Sequence, residues 1–227
     1  MPRIQPATLA FLRDLANHND RDWFQANRPR YEAARANVAQ FADALLDRLA
    51  DSDVLSTASG RSSLFRINRD VRFSNDKSPY KINLAGHFVR DGKLRRGGYY
   101  FSLSPTESMV GGGFYGIERD DLQRVREELA ADPRPLDKIT ADPDFTRLLG
   151  EMRGDQLKTA PRGFPRDHPS LRWLRYKQFY AGHDFTADEV TAPDFLDRAH
   201  DVFLALRPFF NYFSDVLTTD ANGELIV

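Results

Sequence analysis

The segment FRINRDVRFSNDKSPYK, residues 65–81, concentrates side chains that bind phosphate groups and planar rings. It holds five Arg or Lys residues, three aromatic residues and two Asp residues. Guanidinium groups bind phosphate oxygens bidentately, and aromatic rings stack on bases or sugars. The sequence therefore predicts a binding protein or an enzyme for a phosphate-bearing or other anionic ligand.

Formal charge is distributed unevenly along the chain. The net charge is −1, but residues 61–100 carry +7 and residues 158–177 carry +5, which leaves −13 elsewhere. Because local positive charge attracts anions, we expect these segments to form one arginine-lined sheet face, capped by the loop 158–168. Solvated strand and loop surfaces are the alternative. The predicted ligand-binding residues are Arg66, Arg69, Arg72, Lys77, Tyr80, Lys81, His87, Arg96, Tyr100, Lys158, Arg162 and His168.

Apolar and polar residues alternate over residues 64–73, which predicts a strand or a bulged pair of strands. Arg69 falls on the apolar side of this pattern. A guanidinium there must be paired, or a bulge must turn it outward, because burying it alone is costly. We therefore expect Asp70 or Asp76 to pair with at least one arginine of the segment.

The next strands are predicted to form a hairpin. Asp91-Gly92 is typical of a two-residue type I′ turn, and folding the chain about it pairs residues 80–90 with residues 93–103. In this register one face is apolar and the other polar, since the period of a strand is two residues. The residues expected to be buried are Ile82, Leu84, Tyr99 and Phe101, and those expected on the polar face are Lys81, Asn83, His87 and Arg96.

Helical periodicity flanks these strands. Leucines at positions 9, 12 and 15 predict a short first helix, and a longer helix follows to about residue 50, with Pro29 as a kink or a second start. Further helical segments are predicted from Glu118 to Ala131, around residues 136–150, and from about Thr191 onward with a kink at Pro208. The glycines at 111–113 predict a bulge or a close backbone approach. They lack the lysine of a phosphate loop.

The fold class predicted from these elements is α+β, with a mainly antiparallel sheet and an N-terminal helical pair and a C-terminal helix packed on one face. A single domain is expected over residues 1–227, with a helical hairpin at 1–55, antiparallel strands at 61–115, and mixed helices, a basic loop and the C-terminal helix at 116–227. The composition, 41% hydrophobic and 29% charged, is that of a globular protein.

Composition also excludes several classes of protein. The chain has no cysteine, which excludes disulfide scaffolds, thiolate zinc sites, iron–sulfur clusters and cysteine nucleophiles. We predict no cofactor, no metal site and no membrane contact, and a cytoplasmic location, because neither a signal peptide nor an apolar run of about 18 residues is recognisable. The expected partner is an anionic small molecule or a nucleic acid, although a net charge near zero argues against nucleic acid.

Two other functions stay open at this point. A hydrolase could use histidine and aspartate for acid–base chemistry or metal binding, although no HExxH or G-x-S-x-G motif is present and no catalytic residue is assigned. The candidates are His87, His168 and His183 with Asp70, Asp76 or Asp184. A homodimeric interaction module could expose the aromatic stretches DWF and RPFFNYF, which otherwise belong to the core.

Four motifs occur in order along the chain: FLRDLANHNDRDWFQANRPRYE, the basic segment, GGYYFSLSP followed by GGGFY, and LKTAPRGFPRDHP. Together they resemble the family catalogued as domain of unknown function 2461, over nearly the whole length. The resemblance implies no activity, cofactor or catalytic residue. It does imply that the basic segments belong to what the family shares.

Overall fold

The computed structural model describes residues 2–220 and 222–226, and the chain divides into two compact units. The first unit comprises the residues up to 88 together with 100–110 and 184–201. The second comprises residues 89–99 and 111–183 and the residues from 202 onward. The single domain expected over 1–227 stays a prediction.

Four strands form an antiparallel sheet in the described part of the chain, in the order β1-β2-β3-β4. They are β1 (Leu84–Val89), β2 (Gly98–Leu103), β3 (Ser108–Phe114) and β4 (Phe179–Phe185). In β2, Tyr99 and Phe101 are buried while Tyr100 and Ser102 are partly exposed, as expected for a sheet with one covered face. The predicted α+β class is confirmed.

The first unit begins with four helices, α1 (Pro6–Asn17), α2 (Arg21–Ala26), α3 (Arg28–Leu49) and α4 (Gly60–Ser63). The predicted N-terminal helical pair is confirmed as α1 and α3, with the short α2 between them. Asp20 caps α2 by accepting a hydrogen bond from the Trp23 amide (2.8 Å), and Pro29 lies in the first turn of α3. Pro29 is therefore a second start and not a kink, because the first turn tolerates a residue without an N–H. Phe41 of α3 packs edge-on against Phe101 of β2.

The second unit holds several of the later helices and a phenylalanine-rich core. Its helices include α5 (Arg119–Ala131), α6 (Arg134–Thr140), α7 (Pro143–Leu149) and α8 (Leu171–Leu174). The prediction from Glu118 to Ala131 is confirmed, with Glu118 as the N-cap of α5. Phe213 packs against Phe114 of β3 and Phe179 of β4, with ring centroids 4.8 and 5.0 Å away.

The C-terminal region contains three helices where one kinked helix was predicted. They are α9 (Ala187–Thr191), α10 (Phe195–Ala205) and α11 (Arg207–Thr218). Pro208 lies in the first turn of α11 and so separates α10 from α11, because proline cannot continue the hydrogen bonding of a helix interior. Thr186 caps α9 by a reciprocal hydrogen-bond pair with Glu189, a start that the apolar pattern did not reveal.

The predicted two-residue hairpin turn is wrong. Strand β1 ends at Val89 and β2 begins at Gly98, so the connection runs from 90 to 97. A type I′ turn needs positive φ at both central residues, and no non-glycine residue in the described chain has it. Leu84, Tyr99 and Phe101 are buried as predicted. Ile82 is 44% exposed, because it precedes β1 and lies outside the covered face.

The glycines at 111–113 lie inside β3 and permit the close approach that was predicted. A Cβ on Gly112 would lie 2.5 Å from Gly98 O, and one on Gly113 would overlap Phe179 O. These glycines therefore serve strand packing. Among the described residues no helix is both long and apolar enough to cross a membrane.

Candidate functional site

The basic segment, predicted as a strand or a bulged pair of strands, forms an extended pair of chains closed by a loop, with isolated bridges and no regular strand. Phe65 N donates to Ala85 O (2.9 Å), Lys81 N donates to Ile67 O (2.8 Å), and Leu64 and Gly86 form an isolated bridge. Ile67 is buried, but Phe65 and Phe73 are exposed. Because the alternating apolar residues do not share one covered face, the pairing stays interrupted.

Three cations of the segment hold the loop 70–78 in shape. Arg69 pairs with Asp76 and donates to Ser78 O (3.2 Å), and Arg72 pairs bidentately with Asp70 through Nε (3.0 Å) and Nη2 (2.7 Å). The ammonium of Lys77 donates to Val71 O (3.0 Å). The predicted arginine–carboxylate pair is confirmed for both aspartates. These three cations stabilise the loop itself.

The carboxylate of Asp76 is the centre of this loop. It accepts hydrogen bonds from the Ser78 hydroxyl (2.6 Å) and amide (2.9 Å) and from Arg69, which lower the pKa of Asp76 from 3.8 to about 2. Since the folded-state pKa is lowered, the stabilisation is present above pH 3.8 and is lost as the pH falls through about 2. The loop is therefore held by a charged carboxylate at neutral pH.

An exposed group of rings and one ammonium lies on the first unit. The ring of Phe65 is 6.2 Å from that of His87 of β1, nearly parallel to it, and 6.4 Å from that of Tyr100 of β2. Lys81 Nζ lies 5.6 Å from the Phe65 ring centroid, within the range of a cation–π contact. We name Phe65, Lys81, His87 and Tyr100 the aromatic–lysine cluster. Phe65 is 44% exposed, so a ring from solution can reach it.

Two cations of the basic segment, one of them a member of this cluster, form no ion pair within the described residues, although Asp70 attracts Arg66 at longer range. The side chains of Arg66 and Lys81 form no hydrogen bond or ion pair with any residue in the described ranges. Burial lowers the pKa of His87 below 6.5, so its imidazole is neutral at pH 7. Its ring nitrogens form no hydrogen bond within the described chain. The cluster therefore presents positive charge, ring faces and a neutral imidazole together.

The remaining predicted residues lie elsewhere. Tyr80 is buried, and its ring stacks on Phe24 at 4.0 Å inside the first unit. In the second unit, Arg96 pairs with Asp121. Lys158, Arg162 and His168 lie in an irregular segment of the second unit, where Lys158 and Arg162 are exposed and His168 Nδ1 accepts from Ser170 N (3.0 Å). That this segment caps the basic face stays a prediction.

Comparison with models of protein families shows which family the chain belongs to. A family model described as "Conserved hypothetical protein (DUF2461)" matches residues 7–212. The chain belongs to this family. The match includes the whole aromatic–lysine cluster and the loop 70–78 of this DUF2461 protein. No curated protein and no solved structure matched the chain.

The hydrolytic alternative stays a prediction for the DUF2461 protein. His183 Nδ1 donates to Leu148 O (2.9 Å), and His168 is bonded to the backbone, as side chains with a structural role are. Within the described residues no group of three or more His, Asp or Glu side chains could hold a metal ion.

The aromatic stretches proposed for a dimer interface lie mainly in the core of the DUF2461 protein. Phe24 of DWF is 6% exposed. Phe209, Phe210 and Phe213 of RPFFNYF are fully buried in the second unit. These rings are therefore not a surface for a second copy, and the oligomeric state stays a prediction.

Asn19 positions the basic segment, and the residue pattern did not identify it. Its Nδ2 donates to Tyr80 O (2.9 Å) and its Oδ1 accepts from Tyr80 N (3.1 Å). The Asn19 side chain therefore makes the two backbone hydrogen bonds that a neighbouring strand would otherwise make. The pattern assigned it only to a helix-ending turn. Asn19 and Tyr80 both lie in motifs that carry the DUF2461 resemblance, which is the signal that could have linked them.

Asn19→Ala should lower the free energy of unfolding by about 1–3 kcal/mol, because it leaves both backbone groups of Tyr80 unpaired beside the core. Urea unfolding followed by tryptophan fluorescence measures the change. The matched control is Asn17→Ala, at an exposed position without a side-chain hydrogen bond in the described chain, which should cost less than about 0.5 kcal/mol. Equal losses in the two variants would show that Asn19 does not anchor the segment.

Proposed function

We propose that this protein binds a phosphate-bearing ligand with a planar ring at the aromatic–lysine cluster. The observation that carries this function is the convergence of three rings and the Lys81 ammonium on one accessible face. Ring faces bind planar groups by stacking, and cations beside them bind phosphate. The predicted cytoplasmic location stays part of the proposed function.

The division of charges in the basic segment supports a ligand. If all its cations served only the fold, each would have a carboxylate or carbonyl partner, as Arg69, Arg72 and Lys77 have. Arg66 and Lys81 form no hydrogen bond or ion pair within the described residues, although Asp70, which attracts Arg66 at longer range, and Asp76 are both nearby in the chain. Mutual repulsion of unpaired cations is relieved when an anion binds between or beside them. A phosphate group supplies that anion.

Each member of the aromatic–lysine cluster provides a different kind of contact to a ligand. Phe65 provides the exposed ring face, and Tyr100 provides a second ring together with a hydroxyl that can donate or accept. The neutral imidazole of His87 can donate one hydrogen bond and accept another from a polar ring edge. Lys81 supplies a compact positive charge over the face of the Phe65 ring. Such a set suits a nucleotide better than inorganic phosphate alone.

Calorimetric titration with adenosine monophosphate tests the proposed function. Wild-type protein should bind it saturably, Lys81→Ala should weaken binding about tenfold through loss of a charge-assisted contact, and Phe65→Leu should weaken it through loss of the stacking face. Arg66→Ala should also weaken binding without lowering the melting temperature, since its side chain is exposed.

Lys138→Ala is the matched control, because Lys138 is an exposed lysine on α6 of the second unit. It should bind adenosine monophosphate as the wild type does. Undetectable binding by the wild type, or the same affinity for Lys81→Ala and Lys138→Ala, would reject this site. Inorganic phosphate titrated in parallel measures the contribution of charge without a ring.

A further inference from the structure

The loop 70–78 presents one aromatic ring to solvent. Phe73 is 97% exposed, and the Arg72 guanidinium lies 5.8 Å from its ring centroid. Leaving a phenylalanine in water forgoes the free energy of burying it. The loop is nevertheless held by the pairs of Arg69 with Asp76 and of Arg72 with Asp70. The loop that carries this exposed ring is therefore cross-linked by ion pairs between its own side chains.

The exposed ring and the aromatic–lysine cluster are joined by one continuous structure. Residues 65–69 and 79–85 form the extended pair, and Arg69 N donates to Pro79 O (2.9 Å) where the loop begins. Phe73 follows Phe65 by eight residues, so their Cα atoms are at most roughly 29 Å apart. Stacked nucleotides rise about 3.4 Å each, so a strand of about twelve is long enough to reach both rings.

Charge along this structure favours a polyanion. Residues 65–81 hold five cations and two carboxylates, in a chain whose net charge is −1. Cations interspersed with exposed rings form the pattern that binds single-stranded nucleic acid, because phosphates meet the cations and successive bases stack on the rings. An anionic membrane would contact the Phe73 ring and the cations, but it has no planar group that could stack on the rings of His87 and Tyr100.

We propose that the ligand is a single-stranded nucleic acid that stacks bases on the aromatic–lysine cluster and on Phe73; this rests on the proposed function. Phe73 adds affinity only for a strand long enough to reach the loop. The unpaired cations Arg66 and Lys81 contact its phosphates. Duplex DNA, whose bases are already stacked, should bind more weakly than a single strand.

Fluorescence anisotropy with labelled twelve-residue oligo(dT), compared with thymidine monophosphate by calorimetry, tests this assignment. The oligonucleotide should bind at least tenfold more tightly, and Phe73→Ala should remove about tenfold of its affinity while leaving the mononucleotide unaffected. Phe73→Tyr, which keeps a stacking ring, should retain the affinity. Raising the salt concentration should weaken oligonucleotide binding, because phosphate contacts release counterions.

Tyr115→Ala is the control for loss of an exposed ring, since Tyr115 is 80% exposed in the second unit and lies outside the segment. It should bind the oligonucleotide as the wild type does. If the mononucleotide binds but the oligonucleotide binds no more tightly, or Phe73→Ala leaves both unchanged, the nucleic-acid assignment is overturned and the proposed function stands. If neither probe binds, both fall. Binding to vesicles of phosphatidylcholine and phosphatidylserine (7:3) tests for a membrane instead. Vesicle binding that depends on Phe73, without oligonucleotide binding, overturns the nucleic-acid assignment in favour of a membrane.

Discussion

Arg90→Ala should lower the free energy of unfolding by about 3–5 kcal/mol, because it removes a buried cation that holds the connection between β1 and β2. Arg90 is 5% exposed. Its guanidinium donates to Arg96 O (2.9 Å), to Asn211 Oδ1 (3.0 Å) and to Ser214 Oγ (3.3 Å). It also lies 5.3 Å from the centroid of the Phe210 ring. Truncation therefore leaves several acceptors unpaired and a cavity beside α11.

Urea unfolding of the variant and of Arg95→Ala measures this effect against a control from the same connection. Arg95 is exposed, so its loss should cost less than about 0.5 kcal/mol. Arg90→Lys should fall between the two, since one ammonium cannot reproduce the planar fork of a guanidinium. If Arg90→Ala is no less stable than Arg95→Ala, the contacts to Asn211 and Ser214 do not hold the connection.

Local periodicity was sufficient to predict most of the helices. Leu9, Leu12 and Leu15 recur at helical spacing, and all three are buried on α1. The position of Pro29 was ambiguous between a kink and a start, and the structure shows a start. A proline within a helical pattern predicts that the helix is interrupted there, and tertiary packing determines whether the helix kinks or a second helix begins.

The connection between β1 and β2 shows where local reasoning fails. Asp91-Gly92 has the composition of a tight turn, and Gly92 does adopt positive φ. The neighbouring Arg90, however, bonds to Asn211, which lies 121 positions later in the chain. A contact over that separation has no trace in a window of a few residues, and it specifies a longer connection than the turn composition predicts.

The candidate site was predictable in composition but not in the role of each cation. The residue pattern predicted a carboxylate pair for the arginines, and both Asp70 and Asp76 form one. It could not show that Arg66 and Lys81 would form no ion pair within the described residues, because that depends on the turn that brings Asp76 back to Arg69. The same turn exposes Phe73, which the alternation had placed on the covered side.

Gly60 lies where the backbones of α3 and α4 touch. A Cβ at this position would overlap Ala39 O and lie 2.5 Å from Asp43 N, both backbone atoms of α3. The Gly60 amide also donates to Asp43 Oδ1 (2.5 Å). No rotation of a side chain can relieve an overlap with backbone, so any larger residue must push α4 away from α3.

Gly60→Ala should therefore destabilise the first unit by at least about 3 kcal/mol, measured by urea unfolding, because the overlap is with backbone on a well-packed helix. Gly150→Ala is the control: Gly150 has φ +67° and nothing within 4 Å of an added Cβ, so the substitution should cost only the backbone strain of about 1–2 kcal/mol. The displacement should also reach the candidate site, because α4 leads directly into Leu64, which pairs with Gly86 of β1, and then into Phe65. Folded Gly60→Ala at low temperature should accordingly bind adenosine monophosphate more weakly than Gly150→Ala. Wild-type affinity in a destabilised Gly60→Ala protein would show that the aromatic–lysine cluster is positioned independently of α4.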